Sequence, residues 1–210
     1  MKDILKSVSI FWYEKIADDK MSHIVILGSS RSFGNTKKAV HEIIGECEIP
    51  VVDLNTLDIK PYDYEYRNKS DDFMPLVERI IEFETIVLAT PVYWYTMSAT
   101  MKIFIDRIND LLHIRKDLGR QLRGKNLFVI ASFNSDLPRG FEDTFEQTCK
   151  HLGMKYLGTS FICSGTNNQE LLDNNKNESE KAKLIFDTRN SEAHNSKFQG
   201  PEEDFSRSVR

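Results

Sequence analysis

A chain of 210 residues, 40% hydrophobic and 29% charged, has the length and composition of one globular domain with extensions. Its net charge of −4 gives no electrostatic reason to expect nucleic-acid binding, and its one basic stretch, "HIRKDLGRQLRGK" at 113–125, reads as a solvated connection. No apolar run approaches the ~20 residues that span a bilayer, and the start of the chain lacks the order of a signal peptide.

In chain order, residues 1–20 come first, with Ile4, Leu5, Val8, Phe11, Trp12 and Ile16 on one helical face. The polar face mixes Lys and Asp, which favours protein contact over a membrane surface. Met21 follows, and the core domain is expected over 21–187. Short apolar runs recur at 23–28 ("HIVILG"), 49–54 ("IPVVDL"), 85–90 ("TIVLAT"), 126–132 ("NLFVIAS") and 156–163 ("YLGTSFIC"). The first, third and fourth are nearly continuous and rich in β-branched residues, as strands buried on both faces are.

Between the runs, apolar residues repeat at helix spacing. Ala39, Val40, Ile43 and Ile44 form one such set, and Phe73, Leu76, Val77, Ile80 and Ile81 another. Asp71 and Asp72 stand where a helix start favours negative charge. Met101, Phe104, Ile105, Ile108, Leu111 and Leu112 make the strongest stripe, while Phe141, Phe145 and Leu152 are sparser. Lys181 to Phe186 close a last helix, and 188–210 are polar and expected to be disordered. Strands alternating with helices predict a doubly wound α/β domain, its parallel sheet covered on both faces.

Ligands bind such sheets at the carboxyl ends of the strands, where the strand order reverses. Ser29 to Thr36, in "ILGSSRSFGNTKKAV", stands there. It fits neither common nucleotide pattern: five residues separate Gly28 from Gly34, Asn35 stands where a P-loop has lysine, and no Gly-x-Gly-x-x-Gly is present. Its hydroxyls are donors, Gly34 permits close backbone approach, Asn35 is expected to cap the next helix, and Arg31 adds a positive charge. That set suits a terminal phosphate monoester without bound metal; the plainer alternative is a turn made by Ser, Gly and Asn.

The third run leads into "ATPVYWYTMSATMKIFIDR" at 89–107. Pro91 is expected to stop the sheet ladder. Ser98 caps the following helix, so Tyr93, Trp94 and Tyr95 precede it, with one ring tucked inward and its neighbours at the cleft. There they suit a planar ring system, an oligomer interface being the alternative. Cys47, Cys149 and Cys163 are far apart, which reads as reduced thiols in a cytoplasmic protein with no metal centre. The histidines are scattered, and no Ser-His-Asp set or carboxylate pair stands out.

Together the two loops resemble those of the flavodoxin-like NAD(P)H-dependent FMN reductase and quinone oxidoreductase family. "GSSRSFGNT" is similar to its G-S-x-R-x-x-G-N-T loop, and "PVYWYTMSATMKIFIDR" resembles P-V-Y-x-x-x-x-S-A-x-M-K-x-F-I-D-R. The resemblance, over about 21–163, implies a five-stranded parallel sheet of order 2-1-3-4-5 binding FMN noncovalently. By position, Ser29, Arg31, Ser32, Asn35 and Thr36 hold the flavin phosphate beside Gly34. Pro91, Val92, Tyr93 and Trp94 line the isoalloxazine ring, and Ser132 and Asn134, in "SFNSD" at 132–136, flank its other side. Glycines common at that last loop in relatives are missing.

One branch of the family carries iron–sulfur cysteines between its second and third strands. The matching "LDIKPYDYEYRNKSDDF" at 57–73 has none, so FMN alone is expected. Tyr62, Tyr64 and Tyr66 would then pack over the flavin pocket or a partner subunit, and Asp106 and Arg107 would serve helix packing or subunit contacts. The implied reaction passes two electrons from NAD(P)H to a small-molecule acceptor: a quinone, another flavin, or a nitro- or azo-aromatic. No catalytic side chain is assigned, because the cofactor carries the redox chemistry. A cytoplasmic homodimer is implied. The rival readings are a flavodoxin-type electron carrier that does not oxidise nicotinamide, and a fold-retaining dimer without enzymatic activity.

Overall fold

The computed structural model describes residues 23–45, 47–134, 137 and 139–186. The helical extension expected over 1–20, the tail over 188–210, and Ser135 and Asp136 of the third loop lie outside the described residues.

The chain alternates strands and helices. β1 (His23–Leu27) leads to α1 (Asn35–Ile44), β2 (Val51–Asp53) and a single 3-10 turn (Leu54–Thr56). Then come α2 (Phe73–Ile80), β3 (Thr85–Tyr93), a two-residue β4 (Thr96–Met97) and α3 (Ala99–His113). The remainder is α4 (Lys116–Gln121), β5 (Asn126–Phe133), α5 (Asp143–Leu152), β6 (Lys155–Cys163) and α6 (Gln169–Phe186). The sheet runs β2-β1-β3-β5-β6 with every neighbour parallel, and β4 pairs antiparallel with the end of β3. Setting β4 aside, the five parallel strands have the expected order 2-1-3-4-5.

Alternation along the central strands divides the core in two. Ile24, Ile26, Ile86, Leu88, Leu127 and Val129 face α2, α3 and α5. Val25, Leu27, Val87, Ala89, Phe128 and Ile130 face α1 and α6. This is why β1 and β3 read as unbroken apolar runs, whereas the edge strands β2 and β6 are only partly buried. A bulge bends β6 at Gly158, whose φ of 111° suits only glycine.

Three elements differ from expectation. α6 begins at Gln169, well before Lys181; its polar first turns hide the pattern, and contact with β6 and α1 supplies the support. The basic stretch 113–125 contains α4, with Leu118 and Leu122 buried and Arg115 paired to Asp117 and Glu78. Pro91 does not stop β3, which continues to Tyr93. Ala89 faces β1, accepting from the Gly28 N–H at 2.8 Å. Pro91, two residues on, faces the same side after β1 has ended, so its missing N–H removes no ladder bond.

Candidate functional site

Three neighbouring strand tips form a cleft of about 290 Å³. It is lined by Ser29, Arg31, Gly34, Asn35 and Thr36 after β1, by Pro91, Val92, Tyr93, Trp94 and Tyr95 at the end of β3, and by Ser132, Phe133 and Asn134 at the tip of β5. Of the residues expected from the sequence, only Ser32 does not line it; Tyr95 and Phe133 are additions. A well-packed joint supports the cleft from below. The Ser98 hydroxyl donates to the Gly28 carbonyl at 2.6 Å and accepts from the Met101 N–H at 3.1 Å, capping α3 as expected. Gly28 lies so close to α3 that a Cβ there would stand 2.8 Å from the Met101 Cβ.

The polar half of the cleft is a helix start. Gly34, in extended conformation, is the N-cap of α1, and no described side chain caps the helix. Asn35 is therefore not the cap: it is the first helical residue, and it lines the cleft. The first-turn N–H groups are left without a side-chain acceptor, an arrangement that favours an anion. Thr36 is buried, and its hydroxyl meets that of Ser132 at 2.7 Å, tying α1 to the tip of β5. Among the described residues, Arg31 is the only charged one lining the cleft. One cation with backbone and hydroxyl donors, and no carboxylate, fits a phosphate monoester bound without metal. Among the described residues, no group of three or more His, Cys, Asp or Glu is placed to hold a metal ion.

The aromatic half is a hairpin. Val92 pairs with Met97 and Tyr93 with Thr96, leaving Trp94 and Tyr95 as a two-residue tip. Both have positive φ, 48° and 67°. Such tight turns favour Asn-Gly, and a bulky residue held there costs on the order of 1–3 kcal/mol. No burial offsets that strain: Trp94 is 91% exposed, Tyr95 67% and Tyr93 42%. The expectation that one ring tucks inward fails because the turn takes the tip out of strand alternation. The Tyr93 hydroxyl meets that of Ser30 at 3.0 Å, joining the two halves. On the third side, the Asn134 amide lies beside the carbonyls of Phe133 and Ser164, and only with its oxygen and nitrogen exchanged does it donate to both, at 3.2 Å.

Within the chain, one arm of each of two further expectations is decided. The Tyr62, Tyr64 and Tyr66 rings cluster 5.1–6.1 Å apart, with Tyr66 5.9 Å from His113. His113 ends α3, about 20 Å along the helix from the strand tips, so this cluster does not cover the cleft. Arg107 is a buried clasp within the chain, donating to Asp110 at 2.9 Å, to the carbonyls of Lys60 at 3.0 Å and Asn68 at 2.9 Å, and to Asp71. Asp106 is unrelated to it and pairs on the surface with Lys102.

Comparison with known proteins shows the family. The NADPH-dependent FMN reductase family matches residues 21–168. YwqN of Bacillus subtilis (strain 168), described as an NAD(P)H-dependent FMN-containing oxidoreductase, is 30% identical over 150 residues, covering 66% of this chain and 82% of its own. Among solved structures, the Trp repressor binding protein from Bacillus subtilis superposes with a TM-score of 0.60 at 24% identity, covering 78% of this chain and 98% of that one. An FMN-dependent NADH-azoreductase from Bacillus anthracis, solved with FMN, gives a TM-score of 0.58 at 11% identity, covering 78% and 99%. With both cleft loops inside the matched region, the chain belongs to the NADPH-dependent FMN reductase family.

Proposed function

We propose that the chain is an FMN-dependent NAD(P)H oxidoreductase that passes two electrons from a nicotinamide to a quinone, a flavin, or a nitro- or azo-aromatic. The observation that carries this reading is the pairing, on one sheet rim, of an uncapped helix start with an exposed aromatic hairpin. Bound FMN supplies the redox chemistry. Arg31, the Asn35 side chain, the Thr36 hydroxyl and the first-turn amides of α1 would hold its phosphate. The hairpin would cover the ring and exclude water, and the backbone amides of Val92 to Trp94 would be placed to offset negative charge there. Mixing the FMN-loaded protein with NADPH is expected to bleach the flavin absorbance within seconds, and added quinone to restore it. An electron carrier of the same fold would keep its colour.

The hairpin tip gives a second expectation. The double variant Trp94→Asn, Tyr95→Gly relieves two unfavourable backbone conformations and is expected to gain about 1–2 kcal/mol in the apo protein. FMN and riboflavin affinity should both fall, by about tenfold, because the two aromatic side chains serve the ring that both ligands share. Thermal melts and fluorescence titrations read the two effects. Unchanged stability with intact binding would show a tip neither strained nor used.

The protein works as a cytoplasmic homodimer in this proposal. No described helix is long and apolar enough to cross a membrane. Ile105, Ile108 and Leu112 on α3 are only partly buried and, with Thr148, His151 and Leu152 of α5, border a shallow groove of about 400 Å³. An apolar stripe of this kind suits a second copy. Ile108→Asp is expected to halve the mass in light scattering; a wild-type monomer would refute the dimer.

A further inference from the structure

We infer that Asn55 is a positioning residue: its side-chain amide fixes the Ser29–Ser30 peptide so that the Ser30 N–H faces the cleft as a phosphate donor. The inference rests on the flavin-phosphate reading of the first loop. β1 ends at Leu27, paired with Asp53, the last residue of β2. Ser29 therefore stands two residues beyond the ladder, where β2 no longer runs alongside to receive its carbonyl. Asn55 takes that place. Its Nδ2 donates to the Ser29 carbonyl at 2.5 Å, across 26 residues of sequence. Asn55 is itself braced within the 3-10 turn. Its N–H donates to Asp53 Oδ1 at 2.9 Å, and the Thr56 hydroxyl donates to the Asp53 carbonyl at 2.7 Å.

Peptide geometry supplies the consequence. In a planar trans peptide the C=O and the following N–H point in opposite directions. The strand order is β2-β1-β3, so a Ser29 carbonyl drawn toward β2 turns the Ser30 N–H toward β3. That is the side on which Pro91, Val92 and Tyr93 line the cleft. The Ser30 hydroxyl is held on the same side by the Tyr93 hydroxyl, at 3.0 Å. Pinned from both flanks, the peptide cannot turn over without breaking the Asn55 bond. A donor aimed before the anion arrives needs no reorganisation on binding. Neither Asn55 nor Ser30 lines the cleft, whereas Ser29 and Arg31 on either side of Ser30 do, so the effect of Asn55 reaches the ligand through the backbone between those two lining residues.

The test compares full-length wild type with Asn55→Ala. The FMN dissociation constant is expected to rise about tenfold, the worth of one charge-assisted hydrogen bond. Riboflavin affinity should stay within twofold and the apo melting temperature nearly unchanged, because the side chain is exposed. Equal losses of both ligands, or no loss of FMN, would overturn the inference. A second measurement does not depend on the variant folding. Inorganic phosphate titrated into isotope-labelled wild type should shift the Ser30 amide resonance, and the Asn55→Ala resonance should respond weakly or not at all. A Ser30 amide in wild type that ignores phosphate would refute the positioning role. Wild type that responds to phosphate but binds no FMN would refute the flavin reading and leave the role of Asn55 standing.

Discussion

Combining Asn35→Ala with Thr36→Val is expected to raise the FMN dissociation constant by on the order of 100-fold or more, while riboflavin affinity changes little. Two donors to a charged phosphate are removed, each worth about 1.5–3 kcal/mol. Riboflavin shares the ring and ribityl chain but lacks the phosphate, so it does not register the loss. Both residues line the polar half of the cleft, in the first turn of α1, whose helix dipole remains in the variant. The Thr36 change has a side effect that must be separated. Its hydroxyl is bonded to that of Ser132, so valine leaves a buried hydroxyl with one partner fewer, at about 1 kcal/mol. Fluorescence titration with the two ligands, alongside melts of the apo protein, distinguishes the two effects. Equal losses for FMN and riboflavin would mean that this turn is not the phosphate cradle.

The largest stability effect should come from a residue remote from the cleft. Arg107→Leu is expected to destabilise the apo protein by about 3–5 kcal/mol, because it strands buried carboxylates. The Arg107 side chain is 1% exposed, that of Asp71 4% and that of Asp110 5%. Asp110 Oδ1 has no hydrogen-bond partner among the described residues, so Arg107 carries the compensation of that group. The guanidinium also stands 4.7 Å from the Phe73 ring and fastens the 57–72 segment through the Lys60 and Asn68 carbonyls. Lysine cannot supply this fork of donors, so Arg107→Lys should rescue little.

The pH dependence of that variant has a definite sign. Burial alone would raise the Asp71 carboxyl; hydrogen bonds from Arg107 and from the backbone N–H groups of Lys60 and Phe73 outweigh it and hold the group below its ordinary range. In wild type this contribution is present above the unfolded carboxylate pKa, about 3.9, and is lost as pH falls through the folded value. Without Arg107 burial acts on the Asp71 carboxyl with less opposition, raising it so that it protonates more readily. The deficit of Arg107→Leu should therefore narrow between neutral pH and about pH 4.5, which urea unfolding at both values measures. A deficit under about 1 kcal/mol would show that the cluster is not a main support of the fold.

Arg107 also shows where sequence reading stops. In "MKIFIDR" it looks like any basic residue closing an apolar stripe. Its carboxylate partner Asp71 lies 36 residues earlier, and only the packing of α3 against the 57–72 segment brings them together. Asn55 and Ser29 are a second case, joined because β1 and β2 end side by side. The hairpin is a third. Three aromatics after a proline carry no sign of a two-residue turn, because such turns normally announce themselves with Asn-Gly. Pro91 runs against expectation for a related reason: whether it interrupts a sheet depends on which neighbour its missing N–H would have faced.

By itself, the sequence determined the alternating α/β order, the buried character of the central strands, and the two loops whose residues place the chain in its family. These are local properties, since burial on both faces and helix periodicity leave their pattern in contiguous residues. That the two loops serve one site followed from the resemblance; tertiary structure decided that Gly34 and not Asn35 caps α1, that Trp94 and Tyr95 stand strained and exposed, and that Arg107 is a clasp. The cap and the hairpin are turn conformations that these residue types do not announce, and the clasp depends on the order in which the strands and helices lie beside one another. That order follows from the packing of the whole sheet, and no short stretch of residues encodes it.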